Sequence, residues 1–199
     1  MYKNNIMGIE FIIPTYSRTN HLFTIVCSLL SQTNPNWKAH IVGDCVPNEN
    51  LERIHSFLNM INDDRIRFTN LPERYNDWGH TPRNYGLEHS TLEWTIMTGE
   101  DNYYVPSFVD NMLNIGKDKH FVFCNMVHNW IKDDYIPIKC KVEYGQLDIG
   151  CYMFKTNMGN KIKLDTTFAQ SDFKFVTDFG EKYPLARFGK TEKILYVHN

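Results

Sequence analysis

Apolar positions along the chain fall into two alternating patterns, short unbroken runs and segments in which apolar residues return at helical spacing. The runs are Ile9 to Ile13, stopped by Pro14, then Lys38 to Val42, Ile66 to Thr69, Trp94 to Met97 and Phe121 to Met126. Between them, Leu22, Ile25, Val26, Leu29 and Leu30 form one stripe within a predicted helix from Thr19 to Ser31. Leu51, Ile54, Phe57, Leu58 and Ile61 form another, in a helix capped by Asn50 and running through Met60. Shorter helices are predicted at Pro82 to His89 and Pro106 to Ile115, each with proline in its first turn. The alternation predicts an α/β fold, a mostly parallel central sheet flanked by crossover helices.

The last third is less regular and predicts a smaller antiparallel part. Strands are expected at Lys139 to Tyr144, Ile149 to Lys155 and Ile194 to Val197, with a helix at Ser171 to Phe179. The polar stretch from Asn129 to Pro137 has two readings, a mobile loop or a plain surface connection. No repeat or low-complexity linker divides the chain, and 199 residues suit one domain, 1–199.

Composition narrows the class. With 42% hydrophobic, 14% aromatic and 22% charged residues, the chain is a folded one. Its 21 basic and 23 acidic side chains nearly cancel, and no basic block stands ready to neutralise a run of phosphates, so nucleic acid is not the expected partner. No leader or membrane anchor is visible. Five cysteines without a C-x-x-C pair argue against a disulfide framework and a zinc knuckle, so reduced thiols in a cytoplasmic protein are expected, with Cys27 and Cys124 in the core.

Polar residues gather just past the predicted parallel strands: Thr15, Tyr16 and Arg18 after the first, Asp44 after the second, Glu100, Asp101 and Asn102 after the fourth. Ligands of open α/β sheets bind outside the carboxyl ends of the strands. Neither G-x-G-x-x-G nor G-x-x-x-x-G-K-[ST] occurs, so a bound diphosphate needs a cation. The adjacent carboxylates of Thr98-Gly99-Glu100-Asp101-Asn102 are suitable oxygen ligands for Mg²⁺ or Mn²⁺ held jointly with phosphate.

Four segments, in order and spacing, carry a resemblance. Phe11-Ile12-Ile13-Pro14-Thr15-Tyr16-Ser17-Arg18 followed by Leu29-Leu30-Ser31-Gln32-Thr33 resembles the P-T-Y-N-R turn and S-x-L-x-Q-T helix end of the GT-A nucleotide-sugar glycosyltransferases, particularly family 2. Ile41-Val42-Gly43-Asp44 is similar to its V-G-D strand end. Gly79-His80-Thr81-Pro82-Arg83-Asn84-Tyr85-Gly86 resembles its G-x-x-x-A-R-N-x-G helix start, and Gly99 to Pro106 stands in the place of D-x-D-D-x-x-x-P. The match covers about the first 115 residues and fades after them.

The resemblance implies a GT-A, Rossmann-like fold with a nucleotide-sugar-binding half at 1–115 and an acceptor-binding half at 116–199. It implies that Pro14, Thr15 and Tyr16 line the nucleobase pocket, with Tyr16 stacking, and that Arg18 helps to hold the nucleotide. Asp44 would accept hydrogen bonds from the base or ribose, favouring a base edge with N–H donors such as uracil. Arg83 would approach the diphosphate or sugar, and Asn84 would fix the loop. Trp78 and His80 would touch donor or acceptor, although Trp78 also reads as a packing residue. Gly99 departs from the family by replacing the first acid of D-x-D, which leaves Asp101 as the carried-over metal ligand, with Glu100, Asn102 and His198 as supplements. Asp172 falls at the family's E-D position as general base, where a helix N-terminus would lower its pKa unless burial offsets it; Asp165 is the next candidate.

These expectations describe an inverting glycosyltransferase that moves a sugar from a nucleotide diphosphate donor, UDP-linked by preference, to a glycan or other hydroxyl acceptor. The donor binds with Mn²⁺ or Mg²⁺, and further domains of a longer protein are allowed for. Two rivals stay open: a nucleotidyltransferase, and a non-catalytic nucleotide- or sugar-binding module whose site has lost its full metal shell at Gly99.

Overall fold

The first strand, β1, lies in the middle of the sheet with Ile9, Phe11, Ile12 and Ile13 fully buried, because parallel neighbours flank it on either side and helices cover both faces. The computed structural model describes residues 6–129 and 134–199. In chain order the elements are β1 (Ile6–Thr15), α1 (Thr19–Leu30), β2 (Trp37–Gly43), α2 (Asn48–Ile61), β3 (Ile66–Asn70), α3 (His80–Glu88), β4 (Leu92–Met97) and β5 (Tyr103–Tyr104). Then follow α4 (Phe108–Gly116), β6 (Phe121–His128), β7 (Ile136–Ile138), a 3-10 turn (Ile149–Cys151), β8 (Tyr152–Lys155), α5 (Thr156–Gly159), α6 (Ser171–Lys182) and β9 (Phe188–His198).

The strands form one sheet in the order β3-β2-β1-β4-β8-β6-β9-β5, with β7 added beside β6. The first half is parallel, as its unbroken apolar runs predict. In the second half β8 runs antiparallel between β4 and β6, while β9 is parallel to β6 and antiparallel to β5. Glu10 is a buried carboxylate in the central strand, satisfied by Arg67 Nη2 at 2.7 Å and the Thr91 amide at 2.6 Å.

Pro14 does not stop β1. Thr98 N–H donates to the Ile12 carbonyl, so by alternation the missing N–H of Pro14 points to the β4 side beyond Met97, the last residue of β4 paired with β1. Asn50 does not cap α2, which begins at Asn48; its side chain instead donates to the Ser17 carbonyl at 2.9 Å. The strand expected at Lys139 to Tyr144 is absent. Its alternation suits a half-buried strand, yet only Cys140 is buried; the chain turns back, the Gln146 amide donating to Glu143, with Gly145 at φ +72°. Cys27 is exposed on α1 rather than in the core, whereas Cys124 is buried. The expected loop at 129–137 lies in part outside the described residues; Pro137 sits in β7, which takes proline because it is an edge strand. No helix among the described residues is long and apolar enough to cross a membrane.

Candidate functional site

A cleft of about 660 Å³ opens at the carboxyl ends of β1, β2 and β4 and is closed opposite by Asp148, Ile149 and the end of β9. Of the residues singled out in the sequence, Pro14, Thr15, Tyr16, Arg18, Asp44, Trp78, Arg83, Glu100, Asp101 and His198 all line it.

Its acidic rim is tightly organised. Thr15 Oγ1 donates to Glu100 Oε2, and Arg18 donates from Nε to Glu100 Oε1 at 2.9 Å and from Nη1 to Asp101 Oδ2 at 2.7 Å. Burial pushes the Glu100 carboxyl above its ordinary value, against the hydrogen bond from Thr15 and the charge of Arg18. The next turn leads into β5, whose pairing of Tyr103 with Val197 sets the tip of β9, and His198 with it, against this rim.

At the other end, Asp44 is engaged by the backbone. Its Oδ1 accepts from the Tyr75 amide at 2.8 Å and its Oδ2 from the Asn76 amide at 3.1 Å, so the carboxylate folds the loop ahead of α3. Arg74 pairs with Asp44 at 3.4 Å and lies 3.2 Å over the Tyr16 ring, covering one face of the ring expected to stack on a base. Arg74 carries no motif signal in the sequence. Its place emerges only when the loop folds onto Asp44.

Helix α3 begins after two left-handed residues, Trp78 at φ +58° and Gly79 at φ +80°, and this turn aims Arg83 at the cleft. Arg83 is buried, donating from Nε to the Thr98 carbonyl at 3.1 Å and from Nη1 to the Trp78 carbonyl at 2.8 Å. Burial lowers its pKa, and the fields of Asp148 and Asp172 work against that. Trp78 is 60% exposed at the cleft wall, so it is not a core packing residue.

Two expected contacts are placed elsewhere. His80 is buried, facing the Phe168 carbonyl at 3.2 Å from Nε2, and does not line the cleft, because the first turn of α3 points it beneath the 160s loop. Asn84 holds that loop too, donating to the Leu164 carbonyl at 3.0 Å and accepting from its amide at 2.8 Å, again away from the cleft.

Asp148 is a second cleft residue, with Arg74, that no sequence motif points to. Its Oδ1 accepts from the Gly150 amide at 2.8 Å and from Tyr196 Oη at 2.6 Å, and its Oδ2 stands 3.3 Å from His198 Nε2. An acid immediately before the buried run Ile149 to Phe154 was the available signal, a cap for the turn that enters that run. Asp172 opens α6 outside the residues that line the cleft. Burial raises its pKa, opposed by a hydrogen bond from the Phe173 amide, and Asp148 and Arg83 act on it with opposite signs. Burial thus outweighs the helix N-terminus. Asp165 is the poorer base, since the hydroxyl and amide of Thr167 hold its carboxyl below the ordinary range.

Among the described residues no group of three or more His, Cys, Asp or Glu side chains is assembled to hold a metal ion. That does not disqualify the rim, because Mg²⁺ is commonly held by one or two carboxylates together with substrate phosphates. Asp101 and His198 line one cleft, and Asp148 Oδ2 stands 3.3 Å from His198 Nε2. The donor types, carboxylate and imidazole, suit a divalent ion whose remaining ligands are phosphate oxygens and water.

The family model described as Glycosyl transferase family 2 matches residues 10–177. No curated protein matches significantly. Among solved structures, S. aureus TarS 1-349 superposes with a TM-score of 0.77 at 17% identity, over 97% of this chain and 60% of that one. The same fragment in complex with UDP-GlcNAc gives 0.75 at 17% identity, over 96% and 58%. The mannosyltransferase PcManGT from Pyrobaculum calidifontis, in complex with GDP-Man and Mn²⁺, gives 0.74 at 13% identity, over 98% and 58%. At such identities the superpositions speak for the fold, and this chain spans about 60% of the TarS fragment's length. The family match over most of the chain, and a sheet that ends in this cleft, establish that the chain belongs to glycosyl transferase family 2, with the GT-A fold.

Proposed function

We propose that the domain transfers a sugar from a nucleotide diphosphate, UDP-linked by preference, to a hydroxyl acceptor with inversion at the anomeric carbon. The observation that carries this reading is the convergence of Arg18, Arg74 and Arg83 with the acidic rim in one cleft at the sheet's carboxyl edge. Complexes of similar structures with UDP, UDP-GlcNAc and GDP-Man support a nucleotide-sugar donor. The base lies by the Tyr16–Arg74 stack, with Asp44 acting mainly through the loop it folds. Arg83 faces the diphosphate with a buried guanidinium, where a low local dielectric strengthens its attraction.

Asp172 takes the proton from the acceptor hydroxyl as the new bond forms, and its raised pKa makes it a stronger base than an ordinary aspartate. A single displacement at the anomeric carbon inverts it. A divalent ion, Mn²⁺ or Mg²⁺, held by Asp101 and His198 beside Asp148, would supply charge stabilisation to the departing diphosphate. The acceptor is received by the half from 116 onward. Five free cysteines accord with a reducing, cytoplasmic setting.

The test is calorimetry of UDP with and without Mn²⁺, followed by turnover of UDP-sugars with the product anomer read by NMR. Binding of UDP with slow sugar release supports the reading. Binding without any turnover favours a binding module, and preference for a nucleoside triphosphate favours nucleotidyl transfer.

A further inference from the structure

Arg18 makes two ion pairs, at 2.9 Å with Glu100 and 2.7 Å with Asp101. Gly99 leaves room beside the second: a Cβ there would stand 2.7 Å from Asp101 Oδ1 and 3.0 Å from Asn102 Nδ2, so a side chain at this position would require the tip of the Asp101 carboxylate to give way. The partners also differ in freedom. Glu100 is buried and anchored by Thr15, whereas the Arg18 side chain is 55% exposed and has room to leave.

A guanidinium and a divalent ion compete for the same carboxylate lone pairs, and a guanidinium fork matches phosphate oxygens as well as it matches a carboxylate. We propose that Arg18 and the divalent ion are alternative partners of Asp101, and that the donor's diphosphate decides between them. Arg18 turns from Asp101 onto the diphosphate, and Asp101 is thereby released to ligate. The rim keeps a cation in both states. Because coupling between two ligands is reciprocal, UDP and the metal must each tighten the binding of the other. This inference rests on the donor reading above.

The experiment is a Mn²⁺ titration of the full chain, read by the paramagnetic resonance of the free ion, on the wild type, Arg18→Ala and Arg18→Gln, each with and without UDP. Wild type should take up Mn²⁺ weakly alone and about tenfold more tightly with UDP, a coupling typical of linked sites. Both variants should bind Mn²⁺ alone about tenfold more tightly than wild type, with the gain from UDP shrinking to match. Thermal melts confirm that the variants are folded, as the exposure of Arg18 leads one to expect. Equal Mn²⁺ affinity of the three proteins without UDP, while UDP still binds, would overturn the exchange and leave the donor reading standing. Failure of UDP to bind any of the three, by calorimetry, would overturn the donor reading and this inference with it.

Discussion

Replacing Asp172 by Asn should separate activity from stability. Burial drives the Asp172 carboxyl above its ordinary 3.8, against the Phe173 amide; Asp148 adds to the rise and Arg83 opposes it. A raised folded-state value means that the native state prefers the neutral acid. The group's contribution to stability is then intact below the unfolded value and is lost as pH rises through the raised one. At neutral pH the ionised side chain is a cost. Asn removes that cost and keeps the oxygen that accepts from the Phe173 amide at 2.7 Å, giving up only the attraction to Arg83. A gain of about 1 kcal/mol at pH 8, raising Tm by about 2–4 °C, is the expected scale for relieving such a site. The gain should shrink as pH falls through the raised value, below which the wild-type carboxyl is neutral too. Over the same substitution, UDP release from UDP-sugars should fall by about 10²–10⁴-fold, as for loss of a general base. Wild-type kcat/KM should decline as pH drops through the raised value. Thermal melts at several pH values, together with UDP-release kinetics, test both halves. Turnover within tenfold of wild type, or a Tm several degrees lower at pH 8, would refute the reasoning.

Arg74→Ala removes the guanidinium stacked at 3.2 Å on Tyr16 and the partner of Asp44, so the Kd for UDP should rise about tenfold, with calorimetry as the measure; an unchanged Kd would take Arg74 out of the base site. Gly86→Ala would set a Cβ 2.4 Å from Ile12 Cγ2, where α3 packs on the central strand. The overpacking should destabilise the domain by about 1–3 kcal/mol and lower Tm by roughly 2–10 °C in a calorimetric melt, and a Tm equal to wild type would mean that α3 stands off the sheet.

The parallel half was readable because β1, β2 and β4 are buried along nearly their whole length and so leave apolar runs where they stand, while β3, at the sheet's edge, is only partly covered. The site residues on that half follow from strand ends alone, which is why Thr15, Arg18, Asp44 and Asp101 all reach one cleft. Orientation was harder. His80 and Asn84 flank Arg83 on the same helix, and only the three-dimensional turn at Trp78-Gly79 decides that Arg83 faces the cleft while its neighbours face Phe168 and Leu164. Asp148 and Arg74 escaped because each earns its place through a partner distant in sequence, Tyr196 for one and Tyr16 for the other. Lys139 to Tyr144 misled because alternation records a possible face without recording whether anything covers it.

The sheet's two halves meet at a narrow seam. Strand β4 joins β8 through only two registered pairs, Trp94 with Lys155 and Thr95 with Phe154, whereas β1 and β2 share seven. The join is reinforced by side chains: Lys155 sits 4.0 Å over the Trp94 ring and pairs with Glu93, and Thr95 bonds Thr156 at 2.8 Å. The halves are tied a second time where β5 pairs with β9 and the Val105 amide donates to the Leu195 carbonyl at 3.1 Å. Donor-facing and later strands are therefore fastened at two separate places, and loosening either one alone leaves them joined by the other.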